Sequence, residues 1–155
     1  MTTLVIHRLA DRPEWIPRLV RGFEQEWPGW YGPGGRGDAA RDLRGFCSRN
    51  APPIGLIGLL DGELVGCVAL KSESIAARAD LGPWAAAGLV LPGHRGRGCG
   101  GQLVGALENL ARELGYPVLF CGTATAASLL ERLGWSLAET VAHDGEQVRI
   151  YRKTL

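Results

Sequence analysis

The chain has 155 residues, of which 46% are hydrophobic, and a formal net charge of +1. This length predicts one domain with its own core, over residues 1–155. The near-neutral charge gives no general attraction to nucleic acid or to a membrane surface, and no apolar run reaches the roughly 18 residues that a membrane span needs. The N-terminal segment lacks the pattern of a signal peptide, so we expect a cytoplasmic protein.

The first third of the chain predicts a strand followed by two helices. The apolar run from Leu4 to Leu9 predicts the strand. A helix that starts near Pro13 and ends at Pro28-Gly29 is predicted by apolar residues at helical spacing, namely Ile16, Leu19, Val20, Phe23 and Trp27. The Pro- and Gly-rich stretch after it predicts a loop, and Asp38 is suited to cap a second helix over residues 39–47.

The middle of the chain predicts a hairpin, a strand and a long helix. Two apolar runs, 54–60 and 64–70, are joined at Asp61-Gly62, which is typical of a tight β-hairpin turn. Residues 84–91 form another apolar run and predict a strand. A helix closed by Gly115 is predicted by four leucines at helical spacing, namely Leu103, Leu107, Leu110 and Leu114.

The last third predicts a short buried strand over residues 117–121 and a helix over residues 126–133 that Gly134 closes. A second hairpin follows around Asp144-Gly145. The predicted order is therefore β-α-α-β-β-β-α-β-α-β-β. This order indicates an α/β fold, of the α+β kind, with a mixed sheet that is antiparallel at its start and one βαβ unit at 84–121.

The cysteines do not form a metal or redox motif. Cys47, Cys67, Cys99 and Cys121 are at least 20 residues apart, and the sequence has no C-x-x-C pair. We expect reduced and mostly buried thiols, and no metal site.

The turn Arg95–Gly101 joins a predicted buried strand to the long helix and contains four glycines within six residues. Glycine lets backbone N–H groups approach a ligand closely, and the start of a helix adds unpaired N–H donors and the positive end of the helix dipole. Arg95 and Arg97 add positive charge. These features predict a site for a phosphate or diphosphate.

Two common phosphate-binding motifs fit this turn poorly. Gly96-x-Gly98-x-x-Gly101 matches the dinucleotide fingerprint, but that motif needs an acidic residue about 20 positions later, where residues 119–122 have none. A nucleotide-binding oxidoreductase is therefore an alternative that the sequence supports only weakly. A Walker A loop needs Gly-Lys-Ser/Thr, and no lysine lies between Lys71 and Lys153.

Two segments carry motifs of another family. Arg95–Gly100 reads Arg-Gly-Arg-Gly-Cys-Gly, in the pattern Gln/Arg-x-x-Gly-x-Gly/Ala, and follows Val90-Leu91-Pro92. Residues 129–135 read Leu-Leu-Glu-Arg-Leu-Gly-Trp, close to Leu-Tyr-Glu-Lys-Leu-Gly-Phe. With the order of elements, the chain resembles the GCN5-related N-acetyltransferase (GNAT) family over nearly its whole length.

This resemblance implies acetyl-CoA as acetyl donor, without a metal, and a small-molecule or peptide amine as acceptor. The amine attacks the thioester directly, and the protein mainly aligns the two reactants. The pantetheine arm is expected to pair with the strand ending at residue 90 as an added β-strand would. The implied cofactor-binding residues are Leu89, Val90, Arg95, Gly96, Arg97, Gly98, Cys99, Gly100 and Gly101. The oligomeric state, including a homodimer, is left open.

One departure from the family pattern matters for the chemistry. Leu130 stands where the family often has a Tyr that protonates the leaving thiolate. Ser128, Cys121 or Tyr116 are candidates for that role, and water is another because a thiolate is a good leaving group near neutral pH. Because this Tyr is missing, a non-catalytic module with the same fold that senses CoA or a nucleotide is an alternative to an enzyme.

Candidates on the acceptor side are carboxylates and aromatic residues. Asp80 is the first candidate for the general base and Glu26 the second. Trp27, Trp30 and Tyr31 form an aromatic cluster that is suited to a cationic amine through cation–π contact. The competing interpretation is that Trp27 continues the apolar face of its helix and that the loop simply packs.

Overall fold

The computed structural model describes residues 3–155; residues 1 and 2 of the expected domain lie outside this range. Short 3-10 turns occur at Leu9–Asp11, Pro13–Trp15 and Ala76–Arg78. The strands and α-helices are β1 (Val5–Arg8), α1 (Ile16–Glu26), α2 (Pro28–Tyr31), α3 (Ala39–Gly45), β2 (Ile54–Leu60), β3 (Glu63–Lys71), β4 (Trp84–Val90), α4 (Cys99–Glu113), β5 (Val118–Thr123), α5 (Ala127–Arg132), β6 (Ser136–His143) and β7 (Glu146–Thr154).

The strands form one mixed sheet in the order β1-β2-β3-β4-β5-β7-β6. Neighbouring strands are antiparallel except β4 and β5, which are parallel and are connected by α4. This arrangement confirms the predicted α/β fold with a mixed sheet and its βαβ unit at residues 84–121. A parallel pair needs a crossover connection, and α4 supplies it.

The predicted turn and cap residues lie where the sequence places them. Both hairpins turn on an Asp-Gly pair, Asp61-Gly62 and Asp144-Gly145, and all four residues have positive φ angles, as a two-residue type I′ turn requires. Asp38 caps α3 by accepting a hydrogen bond from the backbone N–H of Arg41 at 3.0 Å. These local signals therefore fix the ends of the elements.

Helices cover both faces of the sheet. On one face, α4 and α5 enclose a core that contains Leu103, Leu107 and Leu130. On the other face, α1 and α3 enclose a second core around Leu19 and Phe23. The leucines that predicted the long helix are therefore the side chains that attach α4 to the sheet.

One carboxylate is buried beneath α4. Glu108 is 7% exposed and accepts a hydrogen bond from Trp135 Nε1 at 3.2 Å. Its other oxygen lies 3.2 Å from Lys153 Nζ, so the buried charge is paired and hydrogen-bonded. These contacts tie α4 to β7 and to Trp135, the residue directly before β6.

One local prediction is wrong. The stretch after Trp27 was expected to be a loop, but residues 28–31 form the short helix α2. Proline at the first helical position loses no hydrogen bond, because the N–H there has no intrahelical partner. Pro28 therefore ends α1 and begins α2 at the same point.

The cysteines are free thiols, of which Cys67 and Cys99 are buried and the other two are half-buried. Within residues 3–155, no group of three or more His, Cys, Asp or Glu side chains is arranged to hold a metal ion. In the same range, no helix combines the length and the apolar character needed to cross a membrane.

Candidate functional site

The glycine-rich turn lies between β4 and α4 and presents backbone amides. Gly96 and Gly98 have φ angles of 74° and 79°, in the left-handed region that glycine adopts without strain. Gly98 is the N-cap of α4, and no side chain among the described residues caps it. The backbone N–H of Gln102 donates to the carbonyl of Gly98 at 3.2 Å. The N–H groups of the first turn of α4 are therefore available to an anion.

The side chain of Cys99, the first residue of α4, points into the core rather than over those amides. Cys99 is 2% exposed and packs in the core beneath α4. A Cβ at Gly100 would lie 3.3 Å from Cδ2 of Leu129, so α5 packs closely against this turn. Arg95 and Arg97 are exposed and give the surface of the turn a positive charge.

β4 separates from β5 shortly after it begins. The two strands pair at one position, Trp84 opposite Phe120. On its other side, β4 has a bulge: Cys67 pairs with Leu89 and Ala69 with Ala86, so two residues of β4 stand opposite one residue of β3. A bulge bends its strand and changes the local twist, which accounts for the divergence from β5.

The backbone of Val90 faces the open side of β4. Leu91 donates its N–H to the carbonyl of Val65 in β3 at 2.8 Å. Because backbone polar groups of successive residues in a strand point to alternate sides, those of Val90 point away from β3. Arg95 occupies this edge, since its Nε donates to the Val90 carbonyl at 2.7 Å.

Arg95 also contacts α1. Its Nη2 lies 2.8 Å from Oε2 of Glu26, the last residue of that helix. The pair borders a cavity of about 200 Å³ lined by residues of α1, of the end of β4 and of the turn. The structure therefore brings together Glu26, a predicted acceptor-side residue, and Arg95, a predicted cofactor-side residue.

The predicted aromatic cluster forms, but its members have different surroundings. The ring centroids of Trp27 and Tyr31 lie 5.1 and 5.4 Å from that of Phe23, which is fully buried. The Tyr31 hydroxyl donates to Asp42 at 2.7 Å, and burial together with this bond raises the pKa of Tyr31. Trp30 is 48% exposed. Trp27 and Tyr31 thus pack in the core, while Trp30 is accessible to a ligand.

Asp80 is held by an ion pair. Both of its carboxylate oxygens accept hydrogen bonds from Arg78 at 2.9 Å, and Arg78 also contacts Glu139 in β6. The hydrogen bonds from Arg78 lower the pKa of Asp80 below its usual value. A lower pKa makes this carboxylate a weaker base, and its two oxygens are already engaged.

The profile of the acetyltransferase (GNAT) family matches residues 18–135 of the sequence. The chain belongs to this family. The match contains most of α1, the glycine-rich turn and α5, and so includes both segments on which the sequence resemblance rests. No curated protein sequence is significantly similar to the chain.

Solved structures of GNAT acetyltransferases share the fold. An aminoglycoside 6'-N-acetyltransferase from Enterococcus faecium is 16% identical, with a TM-score of 0.77 over 97% of this chain and 96% of that chain. The yncA protein from Salmonella typhimurium, solved with its cofactor acetyl-CoA, is 18% identical, with a TM-score of 0.75 over 99% and 94%. A ribosomal-protein-alanine N-acetyltransferase from Brucella melitensis is 19% identical, with a TM-score of 0.75 over 98% and 100%.

The position of the GNAT tyrosine is a packing position in this protein. Leu130 is 2% exposed and lies in the core between α5 and α4. Ser128 is exposed and, two residues earlier, points about 200° away around the helix. Ser128 therefore does not occupy the place of the Leu130 side chain, and its role as the general acid stays a prediction.

The other two candidates for the general acid are less suited to the role, Tyr116 because of its position and Cys121 because of its acidity. Tyr116 follows the C-terminal end of α4, a helix of 15 residues, which puts it about 20 Å from the turn. Burial among apolar residues raises the pKa of Cys121 to about 12. A thiol this weakly acidic is a poor proton donor to a thiolate whose ordinary pKa is near 8.5.

Sequence reasoning missed two features of this site. The bulge at Ala87 and Gly88 shapes the open edge of β4, and a glycine inside an apolar strand was the available signal for it. The contact between Glu26 and Arg95 joins residues 69 positions apart, and nothing local in the sequence indicates it.

Proposed function

We propose that the chain, as one N-acetyltransferase domain, transfers the acetyl group of acetyl-CoA to a primary amine of a small-molecule or peptide acceptor. The observation that carries this proposal is the uncapped start of α4, behind two glycines with positive φ and beside the open edge of β4. In a member of the GNAT family, this combination fits a diphosphate and an extended arm better than an unrelated anion.

On the cofactor side, the amides of residues 95–101 bind the diphosphate, and Arg97 adds positive charge to it. Val90 offers its backbone to the pantetheine arm, which adds to the edge of β4 as a strand would. The backbone of Leu89 faces β3 by the same alternation, so Leu89 contributes only as a residue that lines the cavity. Acetyl-CoA supplies an acetyl group that is already activated as a thioester. No metal is assigned a role.

The transfer joins the amine nitrogen to the acetyl carbonyl carbon and breaks the thioester C–S bond. A protonated primary amine loses two protons overall, of which one ends on the CoA sulfur and the other in solvent. Water serves as the proton donor to the sulfur, because a thiolate leaves readily near neutral pH. This assignment fits the burial of Leu130 and the outward position of Ser128.

On the acceptor side, Glu26 and Trp30 receive the amine. A carboxylate attracts the protonated amine and helps one proton to leave, and an exposed Trp ring attracts a cation through its face. Asp80 is less suitable, because its carboxylate is engaged by Arg78 and its pKa is lowered.

Two measurements on the purified protein test this function. Acetyl-CoA should raise the melting temperature, and mass action gives about 2.7 kcal/mol at 100 times the dissociation constant. NAD, which carries a diphosphate without pantetheine, is the control and should give no comparable shift. Release of CoA thiol, measured over a panel of primary amines, should then identify the acceptor class.

The outcomes separate the alternatives. No shift with millimolar acetyl-CoA would reject the proposed function. A shift without thiol release from any amine would favour a CoA-sensing module. A shift with NAD but none with acetyl-CoA would favour a nucleotide-binding oxidoreductase.

A further inference from the structure

Arg95 donates two hydrogen bonds, and the two acceptors have different roles in the proposed function, on which this inference rests. Its Nε bonds the carbonyl of Val90, on the strand edge assigned to pantetheine. Its Nη2 bonds Glu26, the carboxylate assigned to the acceptor amine. One side chain therefore occupies part of the cofactor site and neutralises part of the acceptor site at the same time.

We propose that Arg95 couples the two sites: it pairs with Glu26 in the free protein and leaves Glu26 when the cofactor binds. Cofactor binding then exposes an unpaired carboxylate beside the cavity. A cationic amine binds better to the protein that already holds the cofactor than to the free protein.

The exposure of both side chains allows this exchange. The Arg95 side chain is 51% exposed and that of Glu26 is 39% exposed, and ion pairs this accessible to water are weak. A diphosphate carries more negative charge than one carboxylate, and the planar guanidinium of arginine is suited to bind it with two parallel hydrogen bonds. The diphosphate therefore competes well for Arg95.

The edge of β4 adds a second reason for the exchange. An arm that adds to this edge as a strand needs the Val90 carbonyl as an acceptor, and Arg95 Nε holds that carbonyl in the free protein. Once both bonds of Arg95 are replaced, Glu26 has lost its one ion-pair partner within residues 3–155. Glu26 lies directly before Trp27, a member of the aromatic cluster, so the released charge lies at the start of that cluster.

Calorimetric titration with CoA, which lacks the acetyl group and so allows no turnover, tests this coupling. Glu26→Gln removes the carboxylate that competes for Arg95, and we expect CoA to bind roughly 1.5- to 5-fold more tightly than to the wild type. Glu24→Gln is the matched control, because it removes the same charge from the same helix at a residue without an ion pair in the described part of the chain. CoA affinity should not change in this control.

The sign of the change decides between coupling and a purely structural pair. If the pair only attached α1 to the turn, Glu26→Gln would weaken CoA binding and lower the melting temperature. Unchanged or weaker binding in Glu26→Gln overturns the proposal. Equal tightening in Glu24→Gln also overturns it, because the effect would then come from net charge alone.

A double-mutant cycle isolates the role of Arg95. Arg95→Gln keeps a residue that the GNAT signature accepts and removes the ion pair. In that background, Glu26→Gln should leave CoA affinity unchanged, and a persistent gain would contradict the coupling through Arg95.

Reciprocal linkage gives a further readout. If CoA raises the affinity for an amine, the amine raises the affinity for CoA by the same factor. The best amine from the thiol-release panel should tighten CoA binding in the wild type and not in Glu26→Gln. Absence of CoA binding to the wild type would reject the proposed function itself, whereas equal binding to both proteins would reject the coupling alone.

Discussion

Residues from the segments 22–31 and 89–101 border the same cavity, and the two segments differ in the groups that they offer to a ligand. On the cofactor side, residues 89–101, the available groups are backbone amides held by two glycines and by the start of α4. On the acceptor side, residues 22–31, the relevant groups are side chains, and most of them already contact another side chain. A site made of backbone depends on local sequence, whereas a site made of side chains depends on partners that the fold brings from far away.

The largest effect that we expect is on stability, and it concerns α5, the helix next to the cofactor side. Leu130→Ala should lower the free energy of unfolding by roughly 2–5 kcal/mol, because Leu130 is 2% exposed in the core. Urea denaturation measures this change, and turnover of the folded fraction should be nearly unchanged.

Leu129→Ala is the matched control for that variant. Leu129 is half-buried on the same helix and lies against the turn at Gly100. Its truncation should cost less stability and more CoA affinity than Leu130→Ala. A large loss of turnover in Leu130→Ala at unchanged stability would contradict a packing role for Leu130.

The next largest effect is expected from a variant that disrupts the backbone geometry of the cofactor side. Gly98→Val should lower the affinity for CoA at least about tenfold, because Gly98 has a φ of 79°, where a residue with a Cβ is strained by roughly 1–2 kcal/mol and a β-branched one by more. Calorimetric titration with CoA measures the loss.

Gly105→Val places the same side chain in the same helix, where a Cβ would meet no atom within 4 Å. It should leave CoA affinity unchanged, since valine is tolerated in a helix at least as well as glycine. Equal affinities of the two variants would mean that the turn does not bind the diphosphate.

The difference between the two sides also explains what the sequence predicts. The turn, the hairpins and the leucine face of α4 were predictable because each depends on residues within a few positions. The short helix α2 was missed because Pro28-Gly29 is typical of both a helix end and a loop. The β4 bulge was missed because only the pairing with β3 defines which residues stand opposite each other.

The candidate residues of the acceptor side needed the structure for a different reason. Glu26, Trp30 and Asp80 are all suited by residue type to bind or deprotonate an amine. Their positions in the sequence do not show which of them already pairs with another side chain. Contacts over long sequence distances make that distinction: the pair of Glu26 with Arg95 spans 69 positions and that of Arg78 with Glu139 spans 61. Only the ion pair of Asp80 with Arg78, two residues apart, was within reach of the sequence.

A smaller effect, on KM, is expected from a variant on the acceptor side. Trp30→Ala should raise KM for a cationic amine roughly 2- to 5-fold and leave KM for acetyl-CoA nearly unchanged, because a cation–π contact at an exposed ring contributes about 0.5–1 kcal/mol. Steady-state kinetics with each substrate varied in turn measures both values.

Two variants control for this result. Trp30→Phe keeps an aromatic face and should lie between Trp30→Ala and the wild type. Leu137→Ala removes a side chain of similar exposure in β6 and should change neither KM. An equal rise in both KM values in Trp30→Ala would mean that Trp30 has a structural role.

The smallest effect concerns Asp80, the first candidate for the general base. Arg78 lowers the pKa of Asp80, so the carboxylate is fully ionised at neutral pH, and its stabilising contact with Arg78 is lost only as the pH falls through that lowered value. A carboxylate this weakly basic removes a proton from an ammonium group poorly. The loss of a working general base lowers the rate about 10²- to 10⁴-fold. We therefore expect Asp80→Asn to change kcat/KM by less than about 2-fold at pH 7 and to leave the shape of the pH–rate profile between pH 6 and 9 unchanged, whereas Glu26→Gln should lower kcat/KM for the amine. A drop of a hundredfold or more in Asp80→Asn alone would return the role of base to Asp80, and the acceptor would then approach from the side of Arg78 and β6 rather than from α1.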